Sequence, residues 1–372
     1  MTRARTYAPT SSAAPGKGSS RLRHLAPGFA VLALLLGSAT ALGQSPATST
    51  PASPGTGATV EAGAVTYPLQ LTDDQGTLVT LAAEPQRIIS LSPANTETIF
   101  ALGAGDRLVG GTNYDDYPPE AVALPDVATY TGVLMEQVAA LQPDLVLAAG
   151  NDFTSADDIA RLRALGLPVV VVYAKTVPDV LADIQLIGTA VGEADAARAI
   201  TDGMSADLAT ISQAAARSGT KPRTFYEIGS TPEIYGPAPD SFLADLVTLA
   251  GGDPITTGDP NAFSIPLERL VAADPQVIVV GDAQYGVCPT EVMARPGWGG
   301  MTAVMNGDVR PVNDTVVTRP GPRLAQGLAS LARAIHPDLV LRGFPPDALV
   351  CGATASPEPG TNFGVSPSSL AP

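Results

Sequence analysis

The sequence predicts an α/β fold of two lobes, each built on a parallel sheet, with one long α-helix between them. Three observations support this prediction. Short apolar runs typical of buried strands alternate with helical stretches, one block of sequence occurs twice, and an amphipathic stretch lies midway between the two copies. Ligands of open parallel sheets bind beyond the carboxyl ends of the strands, so two facing lobes predict a ligand cleft between them.

The strand pattern begins with a hairpin and continues as separate buried strands. Val65–Leu71 and Thr77–Leu81 flank the turn sequence Asp73-Asp74-Gln75-Gly76, which is typical of a β-hairpin. Further apolar runs predict strands at Arg87–Leu91, Leu145–Ala149, Val169–Tyr173, Thr224–Ile228 and Val277–Val280. Because helical stretches separate these runs, we expect the strands to pair in parallel, with helices on both faces of each sheet.

An internal repeat divides the chain. The block Glu136–Leu147 matches Glu268–Val279 without a gap, and each copy predicts a short helix, a turn at a proline and a buried strand. The repeat indicates two Rossmann-like lobes of related design, an N-terminal lobe over residues 65–176 and a C-terminal lobe over residues 218–344.

The stretch between the lobes has helical spacing of its apolar residues. Gly188 and Gly192 weaken the helix, but no proline interrupts it after Pro178. We therefore expect one linking helix over residues 177–217.

Both ends of the chain differ from this pattern. Residues 1–43 resemble an export signal, because Arg21 and Arg23 precede the apolar run Phe29–Leu36 and Ala39-Thr40-Ala41 offers a cleavage site. An uncleaved segment that tethers the chain to a membrane is the alternative. Residues 44–64 predict a flexible linker, and residues 345–372 a tail rich in Pro, Gly and Ser.

Charge and cysteine content narrow the possible partners. The formal net charge is −15, and 36 acidic residues face only 21 basic ones. Such a surface repels nucleic acid and anionic lipid, so we expect no nucleic-acid partner; solubility alone is the simplest reason for the charge. The two cysteines, Cys288 and Cys351, are expected to form one disulfide in an exported protein, with two free thiols as the alternative.

The sequence lacks the residues that several classes of enzyme and metal site require. His336 is the only histidine after the export signal, which excludes a multi-histidine metal site and leaves no well-placed histidine for a Ser-His-Asp triad. The chain has no phosphate-binding GxxxxGK[ST] loop. An exported hydrolase that uses two carboxylates stays open because acidic residues are abundant, but no pair stands out. We therefore expect a protein without enzymatic activity.

An ordered set of motifs resembles one family. The set comprises Arg87–Glu97, Leu102-Gly103, Val109–Gly111, Tyr114–Pro119 and the block from Glu136 through Pro143 to Val146. Together these motifs resemble the cobalamin and ferric-siderophore periplasmic binding proteins, whose two lobes are joined by one long helix and which deliver ligand to an ABC importer. The likeness extends from about Val65 to about Leu341, and the first and fourth motifs look closest to the cobalamin-binding branch.

The resemblance gives two glutamates a role. In this family one surface glutamate on each lobe pairs with arginines of the permease dimer, and the match falls on Glu136 and Glu268, which are also equivalent in the repeat. A pseudo-two-fold pair of carboxylates suits a dimeric partner. The simpler alternative is that both glutamates favour the first turn of a helix.

The resemblance also implies ligand-binding residues. Tyr114 and Tyr130 fall where the cobalamin branch has pocket aromatics, and Thr315 to Arg319 align with a further contact segment. Packing in a loop is the alternative for each tyrosine, and a solvated side chain is the alternative for Arg319. Weaker candidates, which follow predicted strands or flank the cleft, are Asn151, Asp152, Phe263, Asp282 and Tyr285.

The ligand implied by the resemblance is a metal chelate. The cleft region has few basic residues, which favours a corrinoid such as cobalamin over an anionic ferric siderophore; haem is a third option, with a tyrosine as its axial ligand. Cobalt or iron belongs to the ligand itself, so we expect no resident cofactor or metal. The expected partners are this chelate and an ABC permease dimer, and the protein is expected to be a monomer.

Overall fold

The computed structural model describes residues 65–150 and 153–346. It begins with the predicted hairpin, in which β1 (Leu69–Thr72) pairs with β2 (Leu78–Leu81) in antiparallel register. The Asp73 carboxylate closes the turn by accepting hydrogen bonds from the backbone N–H groups of Gln75 and Thr77 at 3.1 and 2.8 Å. An aspartate at this position of a turn satisfies the backbone that the turn leaves unpaired.

The N-terminal lobe contains a six-stranded sheet. Its strands are β3 (Ile88–Ser90), β4 (Leu108–Thr112), β5 (Asp126–Thr129), β6 (Gly132–Val133), β7 (Leu145–Ala149) and β8 (Val169–Val172). Their order is β6-β5-β4-β3-β7-β8, and every neighbouring pair is parallel except β5 with β6. Its helices are α1 (Pro93–Ala101), α2 (Met135–Leu141) and α3 (Ala156–Ala164), and two 3-10 turns lie at Gly105–Arg107 and Pro119–Ala123.

Strand β4 was not predicted, because it carries two glycines where strands usually carry β-branched residues. Gly110 has a packing reason. A Cβ at this position would lie 2.7 Å from a methyl carbon of Val127 on the neighbouring strand, so only glycine allows this approach.

The C-terminal lobe contains a four-stranded parallel sheet in the order β10-β9-β11-β12. Its strands are β9 (Arg223–Glu227), β10 (Asp253–Pro254), β11 (Val277–Val280) and β12 (Val309–Pro311). A 3-10 turn, Gly281–Tyr285, follows β11 directly. The remaining helices of this lobe are α6 (Phe242–Leu249), α7 (Leu267–Ala273), α8 (Pro289–Met293), α9 (Thr302–Asn306), α10 (Asp314–Val317) and α11 (Leu324–Ile335). The alternation of strands and helices therefore confirms the predicted fold class.

The internal repeat is visible in three dimensions. Helices α2 and α7 both end at a residue in the left-handed conformation, Gln142 (φ 47°) and Asp274 (φ 45°). An arginine at the start of a neighbouring strand caps each end. Arg87, just before β3, donates to the carbonyls of Leu141 and Gln142. Arg223, the first residue of β9, donates to those of Ala273 and Asp274. Such contacts satisfy carbonyl groups that a helix terminus leaves unpaired. The two lobes thus share one helix-turn-strand unit.

The linking segment is two helices rather than the single one expected over residues 177–217. Helix α4 (Val177–Ala190) ends before Gly192, whose φ of 83° lies in the left-handed region, and α5 (Ala194–Ala216) starts immediately afterwards. Glycine adopts this conformation at little cost, so it terminates the first helix. Helix α4 contacts α1 of the N-terminal lobe, while α5, the long helix, packs on α4 and on α11 of the C-terminal lobe.

The predicted export signal, the linker before residue 65 and the tail beyond residue 346 lie outside the described residues. In the described parts of the chain, no helix combines the length and the apolar character needed to cross a membrane. Both lobes fall within one compact unit of the chain.

Candidate functional site

The cleft is formed by the loops at the carboxyl ends of the parallel strands of both lobes. In the N-terminal lobe, α1 follows β3, and a loop containing Tyr114 and Asp116 follows β4. In the C-terminal lobe, the 3-10 turn ending at Tyr285 follows β11, and the segment containing Arg319 follows β12. These are the positions at which open α/β sheets bind ligands.

An ion-pair network crosses from one lobe to the other. Glu97 on α1 accepts hydrogen bonds from Nε and Nη2 of Arg323 at 2.8 and 2.6 Å, and from Nη1 of Arg319 at 2.6 Å. Arg319 also donates to Asp116 at 2.6 Å. The guanidinium of Arg323 lies over the ring of Tyr117, 4.1 Å from its centroid. Both arginines belong to the C-terminal lobe, and their partners belong to the N-terminal lobe.

The pKa of Arg319 reflects this pairing. Burial alone would lower the pKa, but the hydrogen bonds to Asp116 and Glu97 raise it above the ordinary value for an arginine. The positive charge of Arg319 is therefore already neutralised by carboxylates before any ligand binds.

A buried polar cluster holds the loop that carries Tyr114 and Asp116. The Asp115 carboxylate accepts hydrogen bonds from the Thr112 backbone at 2.9 Å, the Thr112 hydroxyl at 2.8 Å and the Thr96 hydroxyl at 2.8 Å. Thr96 also contacts Ser90 at the end of β3. Burial raises the pKa of Asp115, and the hydrogen bonds from Thr112 and Thr96 partly oppose this rise. These bonds join the loop to β3 and α1, so its outward-facing residues are presented rigidly.

Two of the predicted aromatic residues lie close together. Tyr114 is partly buried, and burial together with the nearby Tyr130 raises the pKa of Tyr114 to about 12. Tyr130 is 78% exposed in the turn between β5 and β6. On the N-terminal side of the cleft, Tyr114 therefore provides a partly buried aromatic ring and Tyr130 an exposed one.

Two other predicted residues lie on the C-terminal side. Much of the Tyr285 ring is exposed, but burial around its hydroxyl raises the pKa of Tyr285. Asp314, Arg319 and Asp116 all lie near enough for their charges to influence this pKa. The side chain of Thr315 accepts a hydrogen bond from the Gln284 amide at 2.9 Å. The structure thus brings Tyr285 and Arg319 together, and places Thr315 against the turn that carries Tyr285.

The remaining weaker candidates are less informative. The backbone carbonyl of Phe263 accepts a hydrogen bond from Gly236, which ties its loop to the segment after β9. Asn151 and Asp152 lie outside the described residues. Phe153, which follows them, is an exposed aromatic at the carboxyl end of β7 that the sequence did not single out.

Acidic residues gather at the carboxyl ends of the C-terminal strands. Asp314 accepts a hydrogen bond from the buried Tyr226 hydroxyl at 2.7 Å, and burial raises the pKa of Asp314 to about 6 despite this bond. Burial and the nearby Glu227 raise the pKa of Asp282 to about 7. Glu227 itself is buried and paired with Arg295. This wall of the cleft therefore provides acceptors and no unpaired cation among its described residues.

Glu97, Asp116, Tyr117, Arg323 and Asp314 were not predicted as site residues. Glu97 belongs to one of the sequence motifs, but its burial and its two arginine partners become visible only in the fold. Arg319 and Arg323 lie between α10 and α11, outside any helix, so no helical spacing indicated that they share one carboxylate.

Two cavities lie away from the cleft. One of about 690 Å³ opens at the opposite end of the C-terminal lobe, beside Arg217, Arg310 and His336. The other, of about 640 Å³, lies among α4, α5 and α6. None of the predicted ligand residues lines either cavity, so the open cleft remains the candidate site.

The two proposed docking glutamates occupy equivalent places. Glu136 lies in the first turn of α2 and Glu268 in the first turn of α7, and both side chains are exposed. Neither forms an ion pair with another described residue. Their carboxylates are therefore accessible to a partner.

Two further predictions concern cysteine and metal. Cys288 is disulfide-bonded, and Cys351 lies outside the described residues, so the pairing of these two remains a prediction. Among the described residues, no group of three or more His, Cys, Asp or Glu side chains could hold a metal ion.

Comparison with known proteins decides the family. The model of the family described as periplasmic binding protein matches residues 88–314, which is more than half of the chain. The chain belongs to this family. The periplasmic binding proteins capture solutes for ABC transporters, so the chain is a binding protein rather than an enzyme, and the carboxylate hydrolase is not supported.

Relatives and solved structures agree with this assignment. The substrate-binding lipoprotein YvrC of an uncharacterized ABC transporter in Bacillus subtilis is 34% identical over 276 residues, covering 73% of this chain and 87% of the relative. A cobalamin-binding protein of Halobacterium salinarum is 31% identical over 290 residues, covering 73% and 75%.

Two solved structures share the fold at 25% identity. The vitamin B12-binding protein BtuF of Vibrio cholerae matches with a TM-score of 0.59 over 68% of this chain and 97% of that one. The haem-binding protein BhuT, in complex with two haems, matches with a TM-score of 0.62 over 68% and 99%.

Proposed function

We propose that this periplasmic binding protein captures cobalamin or a related corrinoid outside the cytoplasm and delivers it to the permease of an ABC importer. The observation that carries the choice of ligand is the pairing of the cleft arginines. Arg319 and Arg323 are neutralised by Glu97 and Asp116. An anionic ligand would have to displace these carboxylates, whereas a largely neutral corrinoid needs only hydrogen bonds and apolar contact.

The aromatic residues support the same ligand. Tyr114 and Tyr130 form an aromatic surface on one side of the cleft, and Tyr285 adds a third ring from the other lobe. Flat ring systems bury large apolar areas against such side chains, and the tyrosine hydroxyls can hydrogen-bond to amide groups at the ring periphery. The cobalamin-binding relative is consistent with this proposal.

Haem or a ferric siderophore is the second candidate, favoured by the structural likeness to the haem-binding BhuT. A tyrosine would have to bind haem iron as a phenolate. Burial raises the pKa of Tyr114 to about 12, which opposes the phenolate form. The carboxylate partners of Arg319 and Arg323 would also compete with haem propionates for these arginines, so we rank this candidate below a corrinoid.

Docking to the permease would use Glu136 and Glu268. They are exposed, lie at equivalent places of the two repeats and carry one charge on each lobe. A permease dimer with two basic pockets fits this arrangement, because complementary charges set the register and the association rate of a complex. The export signal predicted at residues 1–43 would bring the protein to this partner, either free after cleavage or tethered by the uncleaved segment.

Ligand retention tests the proposal. The purified protein is mixed in turn with cyanocobalamin, haem and a ferric siderophore set, desalted, and its visible spectrum is recorded. Corrinoid absorbance at one equivalent per chain supports the proposal. Retention of haem or a ferric siderophore with no corrinoid would replace it by the second candidate, and retention of none would contradict both.

A further inference from the structure

The contact between Glu97 and the two arginines is the main polar contact described between the lobes. Glu97 is on α1, which begins just after the first strand of the N-terminal sheet, whereas Arg323 is the N-cap residue directly before α11. The two carboxylate oxygens of Glu97 accept three hydrogen bonds from two arginines of the other lobe. One side chain therefore connects the cleft loops of both lobes.

Burial makes this contact strong. The side chain of Glu97 is 2% exposed, and those of Arg319 and Arg323 are 15% and 18% exposed. Water and salt screen such pairs only weakly, and removing one partner leaves the other charge buried without compensation. Both arginines lie on the same segment between α10 and α11, so loss of Glu97 would remove the three hydrogen bonds that tie this segment to α1 of the N-terminal lobe.

Neighbouring contacts direct the network toward the cleft. Asp116 holds Arg319 from the loop that presents Tyr114, and Tyr117 lies against Arg323. The lobes are close here, because a Cβ added to Gly321 would lie 3.6 Å from the carbonyl oxygen of Ala94 on α1. The same network thus fixes a predicted ligand residue and the distance between the lobes.

We propose that Glu97 is a positioning residue that locks the two lobes together through Arg319 and Arg323 and so presets the width of the cleft before ligand binds. The effect on ligand affinity rests on the function proposed above, whereas the effect on the lobes does not. In this arrangement the ligand enters a cleft of fixed width, and the affinity depends on a side chain that holds Arg319 in place.

The test compares Glu97→Gln with a matched control. Asp195→Asn removes one carboxylate from an ion pair on the exposed surface of α5, far from the network. Spin labels on Val122→Cys in the N-terminal lobe and Met305→Cys in the C-terminal lobe, both exposed positions, report the distance between lobes by pulsed electron resonance without ligand. We expect Glu97→Gln to broaden or shift this distance distribution and Asp195→Asn to leave it as in the wild type.

Ligand binding provides the second readout. We expect Glu97→Gln to weaken cyanocobalamin binding about tenfold or more, as loss of a buried charge contact does, and Glu97→Asp, which keeps the charge, to recover part of it. A wild-type distance distribution in Glu97→Gln, or equal broadening in Asp195→Asn, would overturn the proposal. If Glu97→Gln does not fold, Arg323→Gln probes the same contact from the other lobe. If the wild type does not bind cyanocobalamin, the proposed function fails, and the distance measurement alone decides the role of Glu97.

Discussion

The guanidinium of Arg295 and the carboxylate of Glu227 form a two-point ion pair at the carboxyl end of β9. Nη1 lies 2.5 Å from Oε2, and Nη2 lies 2.9 Å from Oε1. The Glu227 side chain is completely buried, and Arg295 also lies 4.8 Å from the ring centroid of the buried Trp298. This pair lies on the C-terminal side of the cleft, close enough to Asp282 for both charges to influence the pKa of Asp282.

We predict that Arg295→Met destabilises the protein by about 3 to 5 kcal/mol, because it leaves the Glu227 carboxylate buried and unpaired. Urea unfolding followed by circular dichroism measures the change. The double variant Glu227→Met and Arg295→Met should recover most of the loss, since it removes the isolated charge as well. Equal destabilisation by the single and double variants would show that packing against Trp298, not the charge, matters most.

Asp282 should make stability depend on pH. Because burial and Glu227 raise its pKa to about 7 in the folded protein, Asp282 holds its proton at pH values where an unfolded aspartate is ionised. The contribution of protonated Asp282 to the stability of the fold is complete below the pKa of an aspartate in the unfolded chain. This contribution is lost as the pH rises through about 7. Asp282→Asn should thus stabilise the protein at pH 8 by about 1 kcal/mol, after allowance for partial exposure, and by less at pH 5.

Thermal or urea unfolding of the wild type and Asp282→Asn at several pH values from 4 to 8 measures this difference. The neighbouring acids Glu227 and Asp314 are present in both proteins, so the difference isolates Asp282. A stability difference that does not change with pH would contradict the raised pKa.

Tyr114 should contribute to ligand binding mainly through its ring. We predict that Tyr114→Ala weakens cyanocobalamin binding about 10- to 100-fold, because it removes the buried aromatic surface beside Tyr130. Tyr114→Phe keeps the ring and should bind within a few-fold of the wild type. Titration calorimetry measures both, and wild-type affinity in Tyr114→Ala would exclude this residue from the site.

Charge reversal should separate docking from ligand capture. The double variant Glu136→Lys and Glu268→Lys should bind cyanocobalamin as the wild type does but lower uptake at least about tenfold, since it would place positive charge against the basic pockets proposed for the permease. Uptake of labelled cobalamin by cells that depend on this protein measures the effect. The control changes two other exposed acids on α5, Asp195→Lys and Asp207→Lys. Normal uptake by the first variant, or equal loss in the control, would refute the docking role.

The sequence predicted the hairpin strands β1 and β2 and the strands that are continuous apolar runs, but it missed β4. The runs at Leu145–Ala149 and Val277–Val280 became β7 and β11 without change, because buried parallel strands need apolar residues at every position. Strand β4 escaped prediction because Gly110 is required by its contact with Val127, which is a neighbour in space and not in sequence. The long linking helix is present as α5, but its predicted start at residue 177 was wrong, since Gly192 ends α4 in a left-handed turn and α5 begins at Ala194.

The candidate site was predicted in part. The family resemblance implied Tyr114, Tyr130 and Arg319, and the position of Tyr285 after a predicted strand suggested that residue. The structure places all four on loops at the carboxyl ends of strands, and their role in ligand binding stays a prediction. The disulfide partner Cys351 and the candidate Asn151 stay predictions outside the described residues.

By itself the sequence determined the α/β class, the two related lobes and the places where their cleft loops occur, because these depend on periodicity and on a repeat that can be read along the chain. Only the tertiary structure decided the charge of the cleft. Arg319 and Glu97 are 222 residues apart, and no local pattern shows that they pair. Whether an arginine is available to a ligand depends on which carboxylate the fold places beside it, and that is a property of two lobes meeting in space.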